Sequence, residues 1–104
     1  MNFHSDSAQL TGTAQIVLDS VAQDLSLCVG VPVAIAAHTD SQGADSYNQA
    51  LSRSRAISVA KYLAGRGIDV SRMTARAFGE SQPIGNNATA AGRTQNRRVE
   101  LVAR

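Results

Sequence analysis

Between residues 5 and 27, in SDSAQLTGTAQIVLDSVAQDLSL, apolar side chains recur at helical spacing. Leu10, Ala14, Val17, Leu18, Val21 and Leu25 form one stripe, which predicts a first helix. Ser5, Asp6 or Ser7 can cap its start, and Gly12 weakens its early turns. Residues 2–4 fit a short edge strand. The stretch VPVAIAAH, residues 31–38, is apolar throughout rather than alternating, the mark of a strand buried on both faces. Pro32 stands near its beginning, where a missing N–H costs least.

Helical periodicity returns in SYNQALSRSRAISVAKYLAGRG, residues 46–67. Asp45 or Ser46 can cap this second helix and Gly65 or Gly67 can end it. Ala56, Val59, Ala60 and Leu63 fall within about 100° of arc and mark its core face. Two alternating stretches follow. RMTARAFG, residues 72–79, sets Met73, Ala75 and Ala77 against Thr74, Arg76 and Phe78; RRVELVAR, residues 97–104, sets Val99, Leu101 and Ala103 against Arg98, Glu100 and Val102. Both read as half-exposed strands, and the loop between them has room for a short helix at 88–94. The expected order is β-α-β-α-β-(short α)-β. That is an α/β layered sandwich with a mixed four-stranded sheet and helices mainly on one face.

A chain of 104 residues makes one domain of ordinary size, here taken as 1–104 and as a piece of a longer precursor. Trp is absent and Phe and Tyr number four together, so the core is built from Val, Leu, Ile and Ala. No segment approaches the ~18–20 apolar residues of a membrane span. Cys28 has no internal partner. It is expected as a small buried residue near a helix end, the alternative being a disulfide to a cysteine outside the chain. Residues 1–52 hold five acids and no Lys or Arg, whereas all ten cations lie at or after Arg53. Either a partner-binding face or a fold that mixes the two halves accounts for this asymmetry. The basic stretch GRTQNRR is short and has no stacking aromatic beside it, which points away from nucleic acid.

Nothing in the sequence forms a nucleophile elbow, a phosphate loop or a zinc-ligand cluster, so neither an enzyme, nor a cofactor, nor a metal is expected. Binding is better supported. Ligands of layered α/β folds sit beyond the carboxyl ends of strands, and Asp40 lies just past one. Asp40 is equally suited to forming a turn in D-S-Q-G. Arg55 shifts the balance. Leu51 and Val59 stack one turn either side of it, so its guanidinium is expected to lose water and to need an acid or a bound anion. Asp40 is the nearest candidate in sequence. Such a pair serves either as a structural ion pair or as a reader of zwitterions, Asp40 taking an ammonium and Arg55 a carboxylate.

The chain then shows H-T-D-x-x-G at 38–43, Y-N-x-x-L-S-x-x-R-A-x-x-V-x-x-Y-L at 47–63, G-I, G-E-x-x-P, N-x-T-x-x-G-R and N-R-R-V-E. This series closely resembles the OmpA-like domain of outer-membrane porin-like proteins, peptidoglycan-associated lipoproteins and flagellar stator proteins of the MotB type. The resemblance runs from about Phe3 to Val102. It implies non-covalent binding of peptidoglycan through the diaminopimelate of the stem peptide, whose far end carries an ammonium and a carboxylate on one carbon. It also implies a periplasmic role in tethering an envelope protein to the wall. Asp40 and Arg55 become the principal ligands by that resemblance, with Asn48 and Arg97 lining the pocket and Leu51 packing beside the ligand stem. Asn48 can equally brace the helix start, Arg98 can point to solvent or pair with a sheet acid, and Arg93 can simply order the last loop. Two departures stand out. Ala37 replaces a usual Gly, with little expected effect. His4 follows Phe3 where many members have an acid near the ligand's ammonium, so weaker or more pH-sensitive binding is expected. The alternative is an interaction domain with weak or lost wall binding that forms a homodimer or docks another protein.

Overall fold

The computed structural model describes residues 8–28 and 30–103. Along the chain run α1 (Gly12–Leu27), β1 (Val33–His38), α2 (Asp45–Gly65), a 3-10 turn (Val70–Arg72), β2 (Met73–Gly79), α3 (Ala90–Asn96) and β3 (Arg98–Ala103). The sheet is mixed, in the order β2-β1-β3, with β1 parallel to β2 and antiparallel to β3. It has three strands among the described residues, not the expected four; the strand expected at 2–4 lies outside them.

Register puts the expected apolar sets on one face. Val33, Ile35 and Ala37 of β1 stand beside Met73, Ala75 and Ala77 of β2 and beside Ala103, Leu101 and Val99 of β3. Leu18, Ala22 and Leu25 of α1 and Ala56, Val59 and Leu63 of α2 cover that face. Leu18, Ile35 and Leu63 have no measurable exposure, and each contributes about 1.5–3 kcal/mol by leaving water. Pairing between β1 and β2 slips at Ala37/His38, so His38 stands opposite Gly79.

Four local expectations need correction. Helix α1 starts four to six residues later than a cap at Ser5, Asp6 or Ser7 would allow. Its cap is Thr11, whose hydroxyl accepts from Ala14 N at 3.1 Å, and Gly12 occupies the first turn. Val17 sits on the exposed side while Ala22 takes the buried row, because the stripe follows 14-18-22-25. At α2 the cap is Ala44, with no side-chain bond to the helix; Asp45 stands in the first turn instead. Cys28 is exposed rather than buried, since α1 ends there and the chain turns outward.

That end of α1 depends on one distant side chain. Arg72 donates to the carbonyls of Leu25 (3.2 Å), Cys28 (2.8 Å) and Val31 (3.0 Å). The last turn of α1 holds no Lys, Arg or His of its own, so Arg72 supplies the positive charge that helix C-termini favour. Arg72→Ala is expected to cost about 1–2 kcal/mol and to lower Tm by about 5–15 °C in a thermal melt. A Tm within a degree of the parent would rule out this cap. The two charge halves do mix: Asp19 on α1 accepts from Tyr62 on α2 and from Arg66 just past the end of α2, at 2.8 and 2.9 Å.

Candidate functional site

The topology gathers several chain ends at one place. Because β1 and β2 are parallel, both carboxyl ends lie at the same edge of the sheet; β3, antiparallel, begins there, and α2 starts its return from there. Asp40 after β1, Glu80 after β2, Asn48 in the first turns of α2 and Arg97 before β3 therefore converge.

Asp40 is buried, with 5% of its surface exposed. One carboxylate oxygen accepts from Gln42 N at 3.0 Å, the turn anticipated for D-S-Q-G, and Gly43 completes that turn at φ 84°. The other accepts from Arg97 Nη1 at 2.7 Å. Asp40 thus shapes the turn, as one alternative expected, and also holds an arginine, but that arginine is Arg97 and not the Arg55 considered from the sequence. Arg97 remains 44% exposed.

Asn48 is buried, and its amide nitrogen donates to the carbonyls of Gln42 (2.8 Å) and Asp40 (3.3 Å). Its donors brace the 40–42 turn against α2. One turn on, the fully buried Ser52 hydroxyl accepts from Gly79 N at 3.1 Å, and Gly79 O accepts from Thr39 N at 2.8 Å. Gly79 adopts φ 54°, and a Cβ there would meet Gln49 Oε1 at 2.8 Å. These contacts fasten the two strand ends to α2 through Asn48 and Ser52, whose row continues to Arg55. Arg55 is only 7% exposed, as its place between Leu51 and Val59 predicts. Side chains on a helix lean toward its N-terminus, so Arg55 leans toward the Asn48 end. Leu51 is half-buried beside this row. Arg53, by contrast, is exposed. His4 lies outside the described residues.

Several contributors were not anticipated. Glu80 is half-buried, and its carboxyl is pushed above the usual range, first by burial, then by the neighbouring Asp45 carboxylate to which it hydrogen-bonds, and then by Asp40. Asn96 has no exposed surface. Its Oδ1 accepts from Ile84 N (2.7 Å) and Gly85 N (2.8 Å), and its Nδ2 donates to Gly85 O (3.1 Å) and Asn87 Oδ1 (2.8 Å). Arg93, by contrast, was considered from the sequence as a residue that orders this loop, and it donates to Asn87 O at 3.1 Å. The motif N-x-T-x-x-G-R signals the loop itself, though neither Glu80 nor Asn96: Thr89 caps α3 through Gly92 N, and Gly92 lets α3 approach the backbone of Asn86.

On the opposite sheet face His38 is buried and stacks on Phe78, with ring centroids 5.1 Å apart and planes 9° from parallel. Arg98, its register partner on β3, bonds to Glu100 and to Gln82 O, so Arg98 pairs with a sheet acid rather than pointing freely to solvent. Glu100 lies 3.8 Å from His38 Nε2. Burial, then the Arg98 charge, lowers the His38 pKa from its ordinary 6.5, against a smaller opposing pull from Glu100. The fold thus favours the neutral imidazole. The unfolded chain takes up the proton first as pH falls below about 6.5, so His38's contribution is complete above that pH and declines below it. Glu80, an acid with a raised pKa, contributes in the opposite sense. Urea unfolding at pH 7.5 and 5.5 should show a drop in stability that is smaller in His38→Gln; equal drops in both would exclude His38 as its source.

Among the described residues no group of three His, Cys, Asp or Glu is placed to hold a metal, and no helix is long and apolar enough to cross a membrane.

The sequence matches the OmpA family over residues 2–97. It is 39% identical to outer membrane protein A of Bordetella avium over 99 residues, covering 95% of this chain and 51% of that protein. It is 39% identical to the peptidoglycan-binding protein ArfA of Mycobacterium tuberculosis over 100 residues, covering 96% of this chain and 31% of that one. The chain therefore spans about half or less of these relatives' length. The crystal structure of the peptidoglycan-associated lipoprotein from Burkholderia pseudomallei superposes with a TM-score of 0.88 at 31% identity, covering 100% of this chain and 86% of that one. Motifs, topology and these likenesses agree, and the chain belongs to the OmpA family.

Proposed function

We propose that this domain binds peptidoglycan non-covalently, gripping the zwitterionic end of a diaminopimelate side chain and so tethering an envelope protein to the cell wall in the periplasm. The observation that carries this is Asp40, a largely desolvated carboxylate held by Arg97 at the end of the sheet where strand ends converge; Arg55, a largely desolvated cation, lies on the same row of α2 as Asn48 and Ser52. Desolvated charges are costly unless matched by partners. An ammonium beside Asp40 and a carboxylate on Arg55 would each meet an opposite charge that is little hydrated. Each Asp40 oxygen has a second lone pair beyond its bond to Gln42 or Arg97, so an ammonium can be received without dismantling the turn. Arg97, half exposed at the rim, adds a second cation for the carboxylate. Support also comes from a relative named for peptidoglycan binding and a structural neighbour named for association with it.

Titration with a diaminopimelate-containing stem peptide, mapped residue by residue, tests this against a lysine-containing stem peptide. Lysine lacks the second carboxylate, so binding should weaken about 10- to 100-fold, the loss of one charge-assisted contact. Perturbations should centre on Asp40, Arg55 and Arg97. Equal affinity for the two peptides would refute the assignment of Arg55.

A further inference from the structure

We infer that Asn87 is a positioning residue for Asp40, acting through the backbone of Ser41; this rests on Asp40 and Arg97 forming part of the binding site. Asp40 and Arg97 are far apart in sequence, and a 2.7 Å contact between them requires the 84–97 segment to be fixed against the 40–43 turn. A direct hydrogen bond makes that connection. Asn87 Oδ1 accepts from Ser41 N at 3.3 Å, across a sequence separation of 46, and the same oxygen accepts from Asn96 Nδ2 at 2.8 Å. Asn96, wholly buried, holds the amides of Ile84 and Gly85 as well, and is followed directly by Arg97. One carbonyl oxygen therefore joins the residue after Asp40 to the residue before Arg97. Arg93 fixes Asn87 from its other side, through the backbone carbonyl.

Asn87 differs from its neighbours in a useful way. Its side chain is half-buried at the surface, so removing it leaves no core cavity. Asn96 keeps its bond to Gly85 O when Asn87 is truncated. Both bonds to Asn87 use its oxygen as acceptor, a function that an aspartate also provides. The bond to Ser41 is long and partly solvated, so its effect is moderate, and it works by narrowing the range of positions Asp40 samples against Arg97.

The test uses the full 104-residue chain and a diaminopimelate-containing stem peptide. In Asn87→Ala the Ser41 amide should exchange with solvent faster and peptide affinity should fall about 5- to 10-fold, the worth of one hydrogen bond. Asn87→Asp should restore protection at Ser41. In an Arg97→Ala background the further loss from Asn87→Ala should shrink to within about twofold, because the two residues act on one contact. An equal fold-loss in both backgrounds would mean general loosening and would overturn the inference, as would unchanged exchange at Ser41. If Asp40→Ala left peptide binding intact, the binding site itself would be wrong; unchanged Ser41 exchange together with normal Asp40→Ala weakening would reject Asn87 alone.

Discussion

Arg55→Ala is expected to abolish retention of the domain on purified sacculi, and Asp40→Ala to do the same, while both variants keep a cooperative thermal transition. Arg55 is 7% exposed and Asp40 5%. Truncating either one leaves the ligand charge it would receive desolvated and unmatched, which costs about 2–5 kcal/mol in binding. At about 1.4 kcal/mol per tenfold, that is a loss of roughly 30- to 4,000-fold. Arg55→Lys separates charge from geometry. It keeps the cation and loses the planar fork that meets a carboxylate with two parallel bonds, so about a tenfold loss is expected, intermediate between the parent and Arg55→Ala. Arg53→Ala, two residues away on the exposed side of α2, should bind as the parent does. Arg97→Ala should fall between, since Arg97 is 44% exposed and water can partly replace it. Full retention of both Arg55→Ala and Asp40→Ala on sacculi would eliminate the pocket.

How far the sequence led can be seen in Asp40. Its turn was legible because an acid two residues before a free amide is a local pattern, and the bond to Gln42 N spans two residues. Arg55 was legible because helical spacing alone places Leu51 and Val59 around it. The ion pair with Arg97 was not, since it spans 57 residues and no periodicity carries across the irregular 80–97 segment. Family resemblance placed Arg97 in the pocket but did not supply its partner. Asn48 shows another limit. Its position at the pocket was implied by resemblance, whereas its amide donors are engaged by two backbone carbonyls of the turn.

Element boundaries failed where two signals competed. Ser5, Asp6 and Ser7 are capping residues ahead of an apolar stripe that begins at Leu10 in the sequence, yet Thr11 is the cap. Gly12 explains the choice: in a helix interior it costs about 1 kcal/mol, and much less in the first turn. Val17 was assigned to the stripe because it is apolar and adjacent to Leu18, but a 16-residue helix with one covered side buries Ala14, Leu18, Ala22 and Leu25. The apolar sets of β2 and β3 were legible because strand alternation is local and the register sets them beside Val33, Ile35 and Ala37; β1, expected to be buried on both faces, instead alternates buried and half-buried positions from Val33 to Ala37. The polar hub at Asn96 had no comparable sign. A buried asparagine in a Gly-, Asn- and Thr-rich loop looks like any loop residue until its four partners are placed.

Gly92→Ala is expected to be the most destabilising small substitution in the chain. A Cβ built on Gly92 would lie 1.9 Å from Asn86 O and 2.5 Å from both Asn86 C and Asn86 N. All three are backbone atoms, so no side chain can swing away, and either α3 or the 84–87 segment must shift. Asn86 O also accepts from Thr89 N and Thr89 Oγ1, both at 3.2 Å, so movement of Asn86 disturbs the residue that caps α3. The segment on the other side is held by Asn96, and a shift there strains four hydrogen bonds at a fully buried side chain. Overpacking on this scale costs about 3 kcal/mol or more, a fall in Tm of roughly 10–25 °C for a domain of this size. Sacculus retention should fall with it, because Arg97 and Asn87 move with α3 and its loop and no longer meet Asp40 and Ser41. Gly65→Ala is the control: it ends α2, has no heavy atom within 4 Å of its built Cβ, and has no positive φ. It should be neutral or stabilising by up to about 1 kcal/mol. If Gly92→Ala melted within a few degrees of Gly65→Ala and still bound sacculi, α3 and its loop would be free to separate, and close approach of the Gly92 and Asn86 backbones would not be what sets Arg97 against Asp40.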